Sequence, residues 1–236
     1  MIKQNFSLSF FDRSEALDAL DQHGFALLSE VVSSEVCRDL IALYDRPEAY
    51  RSVIQMKRYN FGRGEYKYFA YPLPEVIEQL RHALYPHLAP LANDWMQKLG
   101  IPVHYPPTLD VFLERCRQQG QYRPTPLILK YEKGDFNTLH QDLYGEVYFP
   151  FQAVLFLTEP EKDYTGGEFV MTEQRPRMQS KGIVLQPKQG EMLIFTTNFR
   201  PILGTKGYYR AAMRHGVSEV RAGKRYNVGI IFHDAV

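Results

Sequence analysis

Residues 127–142 read LILKYEKGDFNTLHQD, and the fold turns on whether this stretch is helix or strand. Its runs are short, rich in apolar β-branched and aromatic residues, and bounded by turn residues, so strands fall near 126–132 and 138–144. In the second strand His140 and Asp142 stand at i and i+2, which puts both on one face while Gln141 points away. Two groups able to bind a metal therefore face the same way.

The same texture continues downstream. Further strands fall near 151–158, 167–172, 181–186, 191–196, 212–220 and 224–232, with turns at Gly166-Gly167, Pro187 to Gly190 and Ala222-Gly223,. Eight short strands at this spacing predict a double-stranded β-helix, or jelly roll. Upstream, residues 14–21 and 33–45 carry Ser just ahead of apolar residues at helical spacing, with the strand-like GFALLSEVV between them,. Residues 75–98 follow a period near 3.6, with breaks expected at Pro86 and Pro90, and 108–118 form another amphipathic stretch,. The fold class is α+β: a mainly helical region 1–120 that covers and supports one sheet, and a jelly-roll core 121–236, together one structural unit. No internal repeat and no low-complexity segment interrupts this plan.

A chain of 236 residues can bury a sizeable core,. Its 28 basic and 27 acidic residues leave a net charge of +1, so no global field favours nucleic acid or an anionic membrane. Cys37 and Cys116 both fall in helix-like segments, which argues against a disulfide framework or a cysteine zinc site and for a reducing compartment,. No window approaches the roughly 18 apolar residues of a membrane span. A cytoplasmic protein without a membrane partner is expected.

Seven His and eleven Asp in this length give about 0.3 His-x-Asp triplets by chance, so the triplet alone says little,. The C-terminal stretch AAMRHGVSEVRAGKRYNVGIIFH, residues 211–233, adds weight. It reads as a hairpin with the loop Arg221-Ala222-Gly223, which pairs Val220 with Lys224 and His215 with Gly229. His215, Val217 and Glu219 then share a face with Arg225, Asn227 and Gly229, with Arg225 about 13 Å from His215 along the strand. That span suits a metal at His215, a five-carbon diacid and an arginine clamping the far carboxylate, with Gly229 leaving room. Two histidines and one carboxylate form the facial triad of non-haem Fe(II) oxygenases. Closed structural zinc sites use four ligands instead, usually with thiolates.

At these residues the chain resembles the Fe(II)- and 2-oxoglutarate-dependent dioxygenases, in particular their prolyl-hydroxylase-like bacterial group. The resemblance runs from LILKYEKGDFNTLHQD through TGGEFV and QPKQGEMLIF to RHGVSEVRAGKRYNVGIIF, about 126–233. It implies that His140, Asp142 and His215 ligate Fe(II), that Arg225 binds the 5-carboxylate of 2-oxoglutarate, and that Tyr131 donates a phenol hydrogen bond to the same cosubstrate. It also implies O2 as oxidant, ascorbate as reductant, and hydroxylation of a C–H bond with release of succinate and CO2. An amino-acid side chain of a protein or peptide is the expected substrate. The alternatives are oxidative demethylation of nucleobases or small molecules, and a non-catalytic cupin-like metal sensor.

The remaining candidates are read as structural. His23, His82, His87 and His104 lack a partner at ligand spacing, and the adjacent His233 and Asp234 would point to opposite strand faces,. Glu219 emerges into solvent. The stretch MKRYNFGRGEYKYFAYPLP, residues 56–74, reads as neither clear helix nor clear strand. Lys57, Arg58, Arg63 and Lys67 interleave there with Tyr59, Tyr66 and Tyr68, a composition suited to a substrate-covering loop over nucleic acid or peptide. Tyr208, Tyr209, Arg210 and Arg214 are candidates for the same mouth.

Overall fold

The computed structural model describes residues 6–7, 15–142 and 145–236. Ser14, Leu143 and Tyr144, where the sequence places a helix start and a strand end, lie outside them. The chain proceeds through helix α1 (Glu15–His23), strand β1 (Phe25–Leu28) and helix α2 (Ser34–Ala42), in the order predicted. The Ser33 hydroxyl caps α2 by accepting from the Val36 N–H at 3.3 Å,.

Residues 50–69 then depart from the helical reading, forming strands β2 (Tyr50–Gln55), β3 (Gly62–Arg63) and β4 (Glu65–Phe69). The physical reason is the alternation in EYKYF, which turns Tyr66 and Tyr68 inward while Lys67 reaches outward over the Tyr44 ring at 3.9 Å,. Next come helices α3 (Glu75–Lys98) and α4 (Leu109–Gln118). Helix α3 runs through Pro86 and Pro90 instead of breaking. Each internal proline costs about 3 kcal/mol relative to alanine. A fully buried face comprising Ile77, Leu80, Leu84, Leu88, Ala92 and Trp95 offsets that cost,.

The second half is all strand: β5 (Leu127–Glu132), β6 (Phe136–His140), β7 (Phe151–Phe156), β8 (Tyr164–Gly166), β9 (Phe169–Gln174), β10 (Lys181–Leu185), β11 (Met192–Thr196), β12 (Phe199–Gly204), β13 (Gly207–Val217) and β14 (Val220–Ile231). One antiparallel sheet runs β1-β11-β7-β14-β5-β4-β2, with β8 added against β14. The other runs β10-β9-β13-β6-β3, with β12 added against β13. Strand β7 is buried on both faces. Its Phe151, Ala153 and Leu155 pack with the four helices, while Val154 and Phe156 meet Phe169, Met171 and Met213 of the facing sheet. The helices thus cover the outer face of the larger sheet, and a jelly-roll core lies between the two.

The C-terminal hairpin does not form. Strands β13 and β14 belong to different sheets, so Val220 does not pair with Lys224, nor His215 with Gly229. The chain crosses between sheets at Ser218-Glu219, and Arg221 to Gly223 continue as strand against β8. Gly223 does take the left-handed conformation, with φ of 77°, but paired with Tyr164 just past a bulge at Arg221, where an added Cβ on residue 223 would lie 2.0 Å from the Asp163 carbonyl oxygen,. Alternation along β14 still turns Asn227 and Gly229 toward the interior, where they meet His215 across the gap between sheets. A shared cavity replaces the shared sheet face.

Candidate metal centre

His140 and His215 are direct cross-strand partners on β6 and β13, with ring centroids 4.3 Å apart. Strand β6 ends at His140, and the side-chain amide of the next residue, Gln141, donates to the carbonyls of Asn198 and Met213 at 2.7 and 2.9 Å. The following residue, Asp142, is buried and turned back between the two imidazoles. Its Oδ1 lies 3.4 Å from His140 Nε2 and its Oδ2 lies 3.3 Å from His215 Nε2.

Two ligands bonded at about 2.1 Å and at right angles to a metal are about 3.0 Å apart. The three side chains therefore stand close to the spacing of a coordinated set, with all ligand atoms within 4.8 Å of one another. They are the one such group of His, Cys, Asp and Glu among the described residues. His140 Nδ1 donates to the Thr138 carbonyl at 2.7 Å, which fixes the tautomer that leaves Nε2 for a metal,. The His215 ring is gripped by Phe169, stacked at 5.8 Å, and Phe195, at 4.6 Å. Burial lowers the pKa of His215 and so favours its neutral, ligating form,. Burial also opposes charge on Asp142, but the two neighbouring histidines overcome it and hold the carboxyl well below the usual range, and against its own burial His140 is raised by the same carboxylate. A neutral imidazole and an ionised carboxylate are the species a metal requires.

A fourth residue, which the sequence reading missed, completes the set. Gln152 on β7 donates from Nε2 to Asp142 Oδ2 at 2.7 Å. The only sequence signal was a polar residue on the inward face of an otherwise apolar strand.

The three ligands and Gln152 line a cavity of about 270 Å³ between the sheets, with Phe61, Tyr66 and Tyr68 among its walls. Arg225 is not among the residues lining this cavity; it is fully buried beside its cross-strand partner Tyr131, which does line it. Its guanidinium carbon is 5.5 Å from the Tyr131 ring, 5.6 Å from Phe156 and 5.8 Å from Tyr164. With the Asn227 amide turned to present its oxygen, both terminal nitrogens of Arg225 donate to it, while Nε has no partner. Among the described residues no carboxylate forms a direct ion pair with this arginine; the Glu168 carboxylate feels its charge only from beyond contact distance,. The Tyr131 hydroxyl is likewise buried without a full hydrogen bond, the Asn137 amide only approaching it. Burial pushes that hydroxyl up to about 12, so it is a donor at neutral pH.

The other candidates fall elsewhere. His82 pairs with Glu78 at 3.0 Å and His23 packs near Phe25, while His233 and Asp234 join a buried network around Arg81. Glu219 is exposed. Tyr208, Tyr209, Arg210 and Arg214 do not line the cavity; Tyr208 lies 5.5 Å from Lys98 at the end of α3, and Arg210 lies over Phe199. Cys37 and Cys116 are free and buried on their helices.

A double-stranded β-helix with an open His-Asp-His cluster between its sheets defines a 2-oxoglutarate-dependent, non-haem Fe(II) oxygenase. The chain belongs to the Oxygenase-NA family, whose model matches residues 64–235 and is described as an oxygenase catalysing oxidative methylation of damaged DNA. It is 52% identical over 167 residues to the uncharacterized protein Rv2227 of Mycobacterium tuberculosis, covering 71% of this chain and 72% of that one. In fold it is similar to a 2OG-Fe(II) oxygenase family oxidoreductase from Burkholderia pseudomallei, at 15% identity and a TM-score of 0.56 over 94% of this chain and 91% of the other. A Pseudomonas putida prolyl-4-hydroxylase matches at 16% identity and a TM-score of 0.53, over 94% and 98%.

Proposed function

We propose that this chain hydroxylates the methyl carbon of an N-methylated base in a damaged nucleic-acid strand. The observation that carries the reading is the cavity: Phe61, Tyr66 and Tyr68 line it together with the metal cluster, which suits a flat aromatic ring,. The family description names damaged DNA as what that family acts on. The peptide substrate expected from the sequence rests on likeness to prolyl hydroxylases, and at 15–16% identity that likeness carries the fold alone. At about 270 Å³ the cavity is smaller than the roughly 300–1,000 Å³ of drug-sized sites,. It has room for a cosubstrate and one reacting group, and a polymer would remain outside.

In this reading His140, Asp142 and His215 hold Fe(II), and Arg225 pairs with the distal carboxylate of 2-oxoglutarate. The buried guanidinium, with no carboxylate in direct contact and its Nε unpartnered, supports that role, since a buried cation gains most from an anion it meets in bidentate fashion,. Tyr131, its cross-strand neighbour, donates its hydroxyl to the same carboxylate. The bound metal, with 2-oxoglutarate and O2, supplies oxidation of a C–H bond with release of succinate and CO2. On an N-methyl group the product N–CH2OH loses formaldehyde and leaves N–H. The chain's own residues orient and desolvate: Gln152 holds one oxygen of Asp142, the phenylalanines fix His215, and Tyr66 and Tyr68 exclude water from the substrate side. Ascorbate would keep the metal reduced. Two free, buried cysteines support a reducing, cytoplasmic setting,.

The test is turnover of an N1-methyladenine oligonucleotide with Fe(II), 2-oxoglutarate and ascorbate. We expect succinate and formaldehyde in equal amounts, and we expect Arg225→Ala to weaken 2-oxoglutarate binding at least tenfold while metal binding persists. Succinate formation stimulated by peptides and not by the oligonucleotide would reject the substrate; equal loss of metal and cosubstrate binding in Arg225→Ala would reject that residue's role.

A further inference from the structure

Residues 56–64, MKRYNFGRG, carry three cations and no carboxylate, in a chain whose overall charge is only +1. They form a ridge at the edge of the smaller sheet. Met56 is its buried root, with its N–H donating to the Gly64 carbonyl and its own carbonyl accepting from the Phe61 N–H. Asn60 takes the left-handed conformation that turns the chain, with φ of 60°. Beyond the turn, the Phe61 carbonyl accepts from both the backbone N–H and the hydroxyl of Thr138, each at 2.9 Å. Gly62 and Arg63 pair with Asn137 and Phe136 of β6, the strand that ends in His140. The ridge is thus tied to the metal-bearing strand.

Its upper surface is unusual for water-facing chain. Tyr59 and Phe61 are 47% and 48% exposed, and their rings stack on each other at 5.6 Å with 19° between planes. Phe61 also lines the cavity, so the stacked pair stands at its mouth. Lys57, Arg58 and Arg63 are all exposed, and none forms an ion pair among the described residues. Lys67, grouped with them by sequence, instead reaches the Tyr44 carbonyl on the far side of β4. Exposed stacked rings flanked by unpaired cations match a single nucleic-acid strand, whose bases offer flat faces and whose phosphates alternate with them. An acidic peptide would use the charges but leave the rings in water.

We propose that Tyr59 and Phe61, flanked by Lys57, Arg58 and Arg63, form a platform for single-stranded nucleic acid that stacks a base neighbouring the one entering the cavity. The inference rests on the nucleic-acid reading of the preceding subsection. Because the two rings already stack on each other and Arg58 lies over the Tyr59 ring at 5.9 Å, the strand uses the outer face of Phe61 against the pair, and the cations hold the adjoining phosphates.

Fluorescence anisotropy of the metal-loaded protein with a labelled twelve-residue oligothymidylate tests it. Tyr59→Ala and Phe61→Ala should each weaken binding about tenfold, the loss of one stacked base, with unchanged melting temperature. Replacing Lys57, Arg58 and Arg63 by Gln should lower the slope of log affinity against log salt by about two. If the wild-type protein demethylates and binds the strand but these variants bind it equally well, the platform is wrong and the proposed function stands. If the wild-type protein does not bind the strand, both fail. An oligoglutamate peptide bound as tightly as the oligonucleotide, with the same loss in the aromatic variants, would overturn the platform in favour of a peptide clamp.

Discussion

The carboxylate of Asp142 meets its surroundings through Gln152 as much as through the histidines. Donation at 2.7 Å from a buried amide to Oδ2 leaves Oδ1 as the oxygen nearer His140. Removing a residue that orients a ligating carboxylate typically costs about 10–100-fold in metal affinity. Gln152→Leu should therefore weaken Co(II) or Mn(II) binding by that factor in titration calorimetry, while 2-oxoglutarate binding at saturating metal stays close to wild type. Wild-type metal affinity in this variant would remove Gln152 from the set. Period two singled out His140 and Asp142 in the sequence, although β6 ends at His140 and Asp142 comes beside its imidazole from beyond the strand. Gln152 was not legible, because a single inward polar residue carries no partner until the opposite sheet is in place.

Strands β6 and β13 bring the histidines together, and their closeness depends on the absence of a side chain at residue 216. A Cβ there would lie 2.7 Å from the Asn137 carbonyl oxygen and 3.1 Å from Thr138 backbone atoms of β6. Backbone cannot yield as a flexible side chain does, so Gly216→Ala should push β6 away, costing about 1–3 kcal/mol and loosening the metal site. Gly182→Ala on β10 is the control: a Cβ there meets nothing within 4 Å, and the stability change should stay within about 0.5 kcal/mol,. Denaturant unfolding with and without Co(II) separates the two; equal behaviour would contradict the close packing. Eight jelly-roll strands were legible from their runs and turns, whereas β8 and β12, added against β14 and β13, were not. The strands β2 to β4 were not, because an aromatic, basic and glycine-rich stretch becomes strand only when β5 and β6 present open edges to pair with,.

For the molecule as a whole, the base of the structure is the buried group formed by Arg81, Asp234, His233 and Thr125, which ties α3 to the C-terminal segment. Arg81 donates to Asp234 at 2.8 Å and to the carbonyls of Ile231 and Phe232 at 2.9 Å. Burial and the nearby Arg81 charge depress His233 to about 3, and its Nδ1 accepts from the Phe149 N–H at 3.2 Å. The unfolded chain, with a histidine near 6.5, binds the proton more readily, so stability is full above that value and falls as pH drops toward 3. Between pH 7.5 and 5 this residue should cost about 2 kcal/mol, seen as a lowered denaturant midpoint. His233→Gln should flatten that slope, and an unchanged slope would assign the acid sensitivity elsewhere. The sequence by itself determined what depends on local periodicity: the jelly-roll class, the strand faces, and the residue types of a His-Asp-His cluster with an arginine nearby. Tertiary structure decided what depends on which strands become neighbours. It put His215 and Arg225 on opposing sheets instead of on one hairpin, since a turn at Ser218-Glu219 that crosses between sheets and a tight hairpin loop at Gly223 satisfy the same local signals,.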